Sequence, residues 1–162
     1  MDARSPTESH AALIRWMGIQ EANVAGFVHG GTVMKMCDEA AGIAAVKHSR
    51  CRVVTAAIDR MTFLHPVHVG QLLMCRASVN AAWRTSMEVG VRVESENPRT
   101  GEVRHTSTAY LTMVAIDDDG QPIAVPPLAV ESDDERRRRR EAELRRQNRL
   151  NERDQIREGR ND

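Results

Sequence analysis

An acid in the middle of an apolar helix is costly unless something uses or satisfies it, and Asp38 stands in such a place. The stretch Asn23 to Arg50 reads NVAGFVHGGTVMKMCDEAAGIAAVKHSR. Asn23 opens it, the pair Gly30-Gly31 follows His29, and a run of small and apolar residues then carries Asp38 well inside it. A glycine pair before such a run marks a loop feeding a helix N-terminus. The first amides of a helix have no partners of their own and carry partial positive charge. Gly30 and Gly31 keep any Cβ out of the way of those amides. This end of the helix can therefore polarise a carbonyl oxygen or hold an anion.

Asp38 follows Gly31 by seven residues. That spacing returns to nearly the same helix face, but roughly 10 Å further along the axis. One helix does not easily bring its own first amides and its own Asp38 to one atom. An antiparallel copy from a second subunit can, so the spacing predicts a site shared across a dimer.

The elements that must position these residues follow from periodicity. Val33, Met36, Ala40, Ala44 and Lys47 recur at helical spacing, as do Met34, Ala41, Ala45 and His48. This predicts a helix over about 31–47 that is apolar around most of its circumference and buried. Residues 11–17 read as a first strand, 52–58 as a second, and 71–81 as a third. Residues 86–96 alternate, with Met87, Val89, Val91 and Val93 on one face and Glu88, Gly90, Arg92 and Glu94 on the other. That is the mark of a half-buried antiparallel strand. Residues 97–101 form a turn, and 102–116 the last long strand. One long helix and five strands joined by short turns predict an α+β fold, a curved antiparallel sheet wrapped around a long central helix. Its open edges favour pairing with a second copy.

Composition narrows the function classes. Formal charge is zero, and residues 1–130 hold 12 basic and 13 acidic side chains, so no basic field points to nucleic acid. No apolar leader and no membrane-length stretch is present, which predicts a cytoplasmic protein with no membrane partner. Cys37, Cys51 and Cys75 show no metal-ligand spacing and read as reduced thiols, with no metal expected. The domain is expected over 1–130. Residues 131–162 hold 11 arginines and 10 acids with few apolar residues, and read as a separate charged tail, an exposed helix or disordered.

Taken together, Asn23, His29-Gly30-Gly31, Asp38-Glu39-Ala40-Ala41, Val54-Thr55, Phe63-Leu64-His65-Pro66-Val67 and Arg84-Thr85-Ser86-Met87 resemble, in order and spacing, the hotdog-fold acyl-CoA thioesterases of the YciA and brain acyl-CoA hydrolase type. The resemblance covers about residues 8–130. It implies hydrolysis of acyl-CoA, no cofactor beyond the CoA of the substrate, and homodimers that assemble into trimers of dimers. It places Asn23 and Asp38 at the catalytic positions, from different subunits. Asp38 would activate water as a general base or attack the thioester itself. Asn23 would orient the water or the thioester, the Gly31 amide with Gly30 would stabilise the oxyanion, and Thr55 would assist. Arg84, Thr85 and Ser86, where amides and a guanidinium can meet a phosphate, would contact CoA. Trp83 and His65 depart from the family pattern, which commonly has Gly and often Arg there.

Two other classes fit the same scaffold. A non-catalytic acyl-CoA-binding module predicts CoA binding without hydrolysis, and has no need of the Asn23 and Asp38 pair. An enoyl-thioester hydratase or dehydratase would use a loop histidine with a helix acid, which puts His29 beside Asp38 in the argument.

Overall fold

The strict alternation of Met87, Val89, Val91 and Val93 becomes a strand whose four valine and methionine side chains are fully buried. In the computed structural model, which describes residues 1–160, it is one of five: β1 Ala11–Trp16, β2 Arg52–Ile58, β3 Leu72–Ala82, β4 Ser86–Glu96 and β5 Val103–Ile116. They form one antiparallel sheet in the order β1-β3-β4-β5-β2, which leaves β1 and β2 as edges. The β4–β5 turn closes at Gly101, whose φ of 72° no branched side chain accepts cheaply and whose amide donates to the Asn97 carbonyl at 2.8 Å.

Helix α1, Gly30–Ser49, starts one residue before and ends two residues after the expected span. Val33, Met36, Cys37, Ala40, Ala41, Ala44, Ala45 and His48 are buried on the concave side of the sheet, and the alanines let the helix lie close. The expectation of burial all round is not met within one chain. Met34, Ile43 and Val46 are 37%, 42% and 44% exposed, on the side of α1 that the sheet does not cover.

His48 shows what the last turn of α1 is tied to. Its imidazole is fully buried and its Nε2 lies 2.9 Å from the Pro126 carbonyl, while Arg4 donates to the His48 carbonyl at 2.6 Å. Burial, with the Arg4 charge adding to it, holds the His48 pKa below the ordinary histidine range, and the Pro126 bond only partly offsets this. The neutral ring is thus the form that folds, and the unfolded chain binds the extra proton. Stability present above about pH 6.5 is expected to fall as pH drops, by up to about 1.4 kcal/mol per pH unit. Urea unfolding at about pH 5 and pH 7.5 checks this. His48→Gln, which keeps a donor for Pro126, should flatten the dependence.

The charged segment expected at 131–162 contains helix α2, Asp133–Glu158, opened by a capping box between Ser132 and Glu135. Asn161 and Asp162 lie outside the described residues. The helix does not stand apart from the sheet. Ala142 is fully buried, and Arg145 reaches Glu88 with both ends of its fork, Nη2 to Oε1 at 2.7 Å and Nε to Oε2 at 3.1 Å. Arg145 also stacks 3.6 Å over the Tyr110 ring. Further along, Arg149 binds both oxygens of Asp59 at 2.9 and 2.7 Å. Glu88, expected on an open face, is instead fully buried under α2. Trp83, out of pattern in the sequence, has a task here: its indole donates to Glu143 at 2.9 Å and Arg146 stacks over it at 4.4 Å.

Candidate active site

Asp38 lies on the flank of α1 that faces β2, and it is half-buried. The Thr55 hydroxyl, on β2, donates to its Oδ1 and also lies 3.5 Å from the Met113 sulfur. Thr55 stands where β2 slips register against β5, pairing with Met113 while Ala57 pairs with Thr112. One extra residue in an edge strand bends it and turns a side chain. The other carboxylate oxygen, Oδ2, takes no hydrogen bond among the described residues and is free for a water or a carbonyl carbon.

The second group of residues gathers at the N-terminus of α1. Asn23 heads a tight loop: its Oδ1 accepts from the amides of Ala25 and Phe27 at 3.0 and 3.2 Å, and its own amide donates to the Phe27 carbonyl at 2.7 Å. Gly26, at φ 84°, makes the reversal possible. With Oδ1 committed twice to the backbone, the side chain of Asn23 has only its Nδ2–H₂ to offer outward. Asn23 is thereby a donor and not an acceptor. The loop leads into α1 through Glu21, whose carbonyl accepts from the His29 amide at 2.9 Å and whose carboxylate accepts from the Thr32 hydroxyl at 3.0 Å. Arg15 braces the same carboxylate.

His29 is the N-cap of α1, and its side chain caps nothing. The amides of Gly30 and Gly31 donate to nothing among the described residues. A Cβ on Gly31 would meet no atom within 4 Å, so the space beside its Cα is open. A Cβ on Gly30 would stand 3.4 Å from the Phe63 ring, which closes its other side.

A third group is the β3–β4 turn. Trp83 donates to the Ser86 carbonyl at 2.8 Å, and the carbonyls of Arg84 and Thr85 accept from Val125 and Ala115 at 3.1 and 3.0 Å. The Arg84 and Thr85 amides have no acceptor among the described residues, and the Arg84 side chain is exposed. Ser86 shares a row of the sheet with Val114 and Val54, next to the row of Met87, Met113 and Thr55. Two strand spacings, about 10 Å, thus separate the turn from the Thr55 strand. His65 is exposed.

One chain therefore joins Asp38 to Thr55 and sets the Arg84 turn on the same part of the sheet. It does not join them to Gly30 and Gly31, about 10 Å away along the helix axis, nor by any hydrogen bond to Asn23. Sequence reading named Thr55 only by resemblance, since 17 residues separate it from Asp38 and no local pattern links them. It missed Glu21, which sets the start of α1. The only trace of Glu21 in the sequence is an acid shortly before a glycine pair. Among the described residues no group of three His, Cys, Asp or Glu side chains is arranged to hold a metal ion, and no helix is long and apolar enough to cross a membrane.

Comparison with known proteins adds to this geometry. Residues 25–102 match the family model described as the thioesterase superfamily. The chain is 32% identical to the rat (Rattus norvegicus) cytosolic acyl coenzyme A thioester hydrolase over 80% of its own length, and spans 35% of that longer protein. A hexameric acyl-CoA thioesterase, solved in the apo form, superposes with a TM-score of 0.90 at 36% identity, covering 94% of this chain and 97% of the other. An acyl-CoA hydrolase from Staphylococcus aureus, solved with butyryl coenzyme A and coenzyme A, gives 0.88 at 34% identity over 96% and 95%. That enzyme has also been solved as alanine variants of an asparagine, an aspartate and a threonine, whose successive spacings of 15 and 17 residues are those of Asn23, Asp38 and Thr55 in this chain.

Proposed function

The chain belongs to the thioesterase superfamily, and we propose that it is an acyl-CoA thioester hydrolase, releasing a free acid and CoA, whose site is shared by two subunits. The observation that carries this reading is the state of Asp38: a half-buried carboxylate with one oxygen held by Thr55 and the other open. The named activities of the relatives agree with it, and so does the matching spacing of the three residues replaced in the S. aureus enzyme.

The chemistry needs little more than these groups. The Gly31 amide, at the positive end of α1, receives the thioester oxygen as charge builds on it. Nδ2 of Asn23 donates to that oxygen or to the attacking water. Asp38 takes the proton of the water, or adds to the carbonyl carbon, with Thr55 fixing its rotamer. The thiolate of CoA then leaves; on the nucleophilic route water cleaves the resulting acyl–Asp38 anhydride, which releases the acid and restores the carboxylate, while Arg84, Thr85 and Ser86 serve the phosphates of the nucleotide.

Asn23 of the partner subunit would complete the site. Met34, Ile43 and Val46 of α1, and Ile58 of the open edge strand β2, leave apolar surface exposed on one chain. A second copy covering α1 and that edge removes this surface from water. Assembly of dimers into a hexamer is the further step, and a cytoplasmic location accompanies it.

Subunit mixing tests the reading. Asn23→Ala and Asp38→Ala proteins are each inactive, but a mixed dimer holds one site with both residues intact. Random exchange should restore about a quarter of wild-type thiol release, because half the dimers are mixed and each carries one good site. No recovery after exchange is demonstrated would end the shared-site reading. Hydration of an enoyl-CoA, assayed alongside, tests the hydratase alternative. His29 makes no side-chain bond that would couple it to Asp38, and no such activity is expected.

A further inference from the structure

On the face of the sheet away from α1, beneath the first half of α2, lies an open cavity of about 560 Å³. That is within the range of small-molecule sites, and the hydrolytic reading makes no use of it. Arg76 and Arg92 form its floor. They stand directly opposite each other on β3 and β4, in one row with Ala12 of β1 and Thr108 of β5. Two like charges opposite each other on one face repel. A single carboxylate, Glu94, binds both, at 2.8 Å for Arg92 Nε. Arg137 and Arg138 reach in from α2. Arg137 is paired with Glu141 at 2.9 Å and Asp134 at 3.3 Å, whereas Arg138 has only Asp134 at 3.8 Å.

Each guanidinium carries five N–H donors. Arg76 and Arg92 each spend one on the shared carboxylate, and Arg138 makes no hydrogen bond among the described residues. His10 and Tyr110 add polar groups to the wall, and the hydroxyl oxygen of Ser78 is buried there with no partner. Four guanidiniums, three carboxylates and an orphan hydroxyl leave donors and positive charge in excess.

We propose that this cavity binds a small phosphorylated anion with at least two negative charges, gripped between Arg76 and Arg92 on the sheet and Arg137 and Arg138 on α2. Phosphate oxygens match the planar fork of arginine. Glu94 is the internal competitor that holds the two floor arginines when the cavity is empty. A ligand bridging sheet and helix also stiffens α2, so occupancy is communicated to the segment that covers Glu88.

Inorganic pyrophosphate, titrated calorimetrically into the full chain at 0.15 M salt to suppress loose ion pairing, is the probe. One saturable site per chain is expected, with slower hydrogen exchange over residues 133–145. The Arg76→Ala/Arg92→Ala variant should bind at least about tenfold more weakly. Both side chains are more than half exposed, at 58% and 55%, so the fold should survive their removal. Glu94→Gln should bind more tightly, because it releases both floor arginines. Asp38→Ala should bind as the wild type does, which separates this site from the hydrolytic one. The absence of saturable binding at millimolar pyrophosphate, equal affinity in the double alanine variant, or no gain in Glu94→Gln would each overturn the proposal.

Discussion

Asp38→Ala is expected to lower kcat for acyl-CoA hydrolysis by about 10²–10⁴-fold, with a much smaller change in KM. The asymmetry follows from what the carboxylate touches. Asp38 reaches along the helix flank to the Thr55 hydroxyl, and in the proposed reaction it meets a water or the carbonyl carbon, not the body of the acyl chain or the nucleotide. Its removal therefore takes away an interaction made in the transition state and leaves ground-state binding largely intact.

Asp38→Asn sharpens the test. An amide oxygen can still accept from Thr55, so geometry is kept while the base is lost, and the loss in kcat should be as large as for alanine. Thr55→Val, which removes only the hydroxyl that holds the rotamer, should cost less than Asp38→Asn. Steady-state kinetics by thiol release measures all three. Near wild-type turnover in Asp38→Ala would remove this residue from the mechanism.

Arg145→Ala is expected to cost about 3–5 kcal/mol of stability, a large part of what a domain of this size has. Glu88 is fully buried, and Arg145 with Asn80 supplies its bonds, the Asn80 amide donating to Oε1 at 3.2 Å. Without Arg145 a carboxylate is left in the protein interior with one neutral partner. The chain relieves this by lifting α2 and letting water in. Both outcomes are visible: the urea midpoint falls, and hydrogen exchange over residues 133–158 accelerates.

The pair as a whole is worth far less than this loss suggests, since desolvating both charges offsets most of their attraction. Replacing both, as Glu88→Met with Arg145→Met, should recover most of the stability that Arg145→Ala removes. A loss under about 1 kcal/mol in Arg145→Ala would mean that α2 contributes nothing to holding Glu88.

The inner half of this molecule was largely legible in advance. The period-two run through Val93, the turn at residues 97–101 and the helical spacing from Val33 to His48 are local patterns, and local patterns are set by backbone geometry. The place where a pattern misled is equally specific. Glu88 sits on the polar side of its strand, and polar alternation ordinarily marks solvent. Its cover comes from Arg145, 57 residues on, in a segment whose composition reads as a solvated tail. Nothing local in either stretch points to the other. For the same reason α1 reads as buried all round, whereas the single chain covers only one side of it and leaves Ile43 and Val46 exposed.

By itself the sequence determined the order of elements, the glycine pair at the start of α1, and the 10 Å that separates the glycine end from Asp38, because rise and period are properties of the backbone alone. Tertiary structure decided which side chains meet. Thr55 reaches Asp38 because β2 joins the sheet at the far edge, beside β5, with a slip in register at Thr55. Arg76 and Arg92 face each other because β3 and β4 pair in one register and no other. Strand order and register are fixed by burying one common face beneath α1, which is a sum over the whole chain and is written in no single stretch of it.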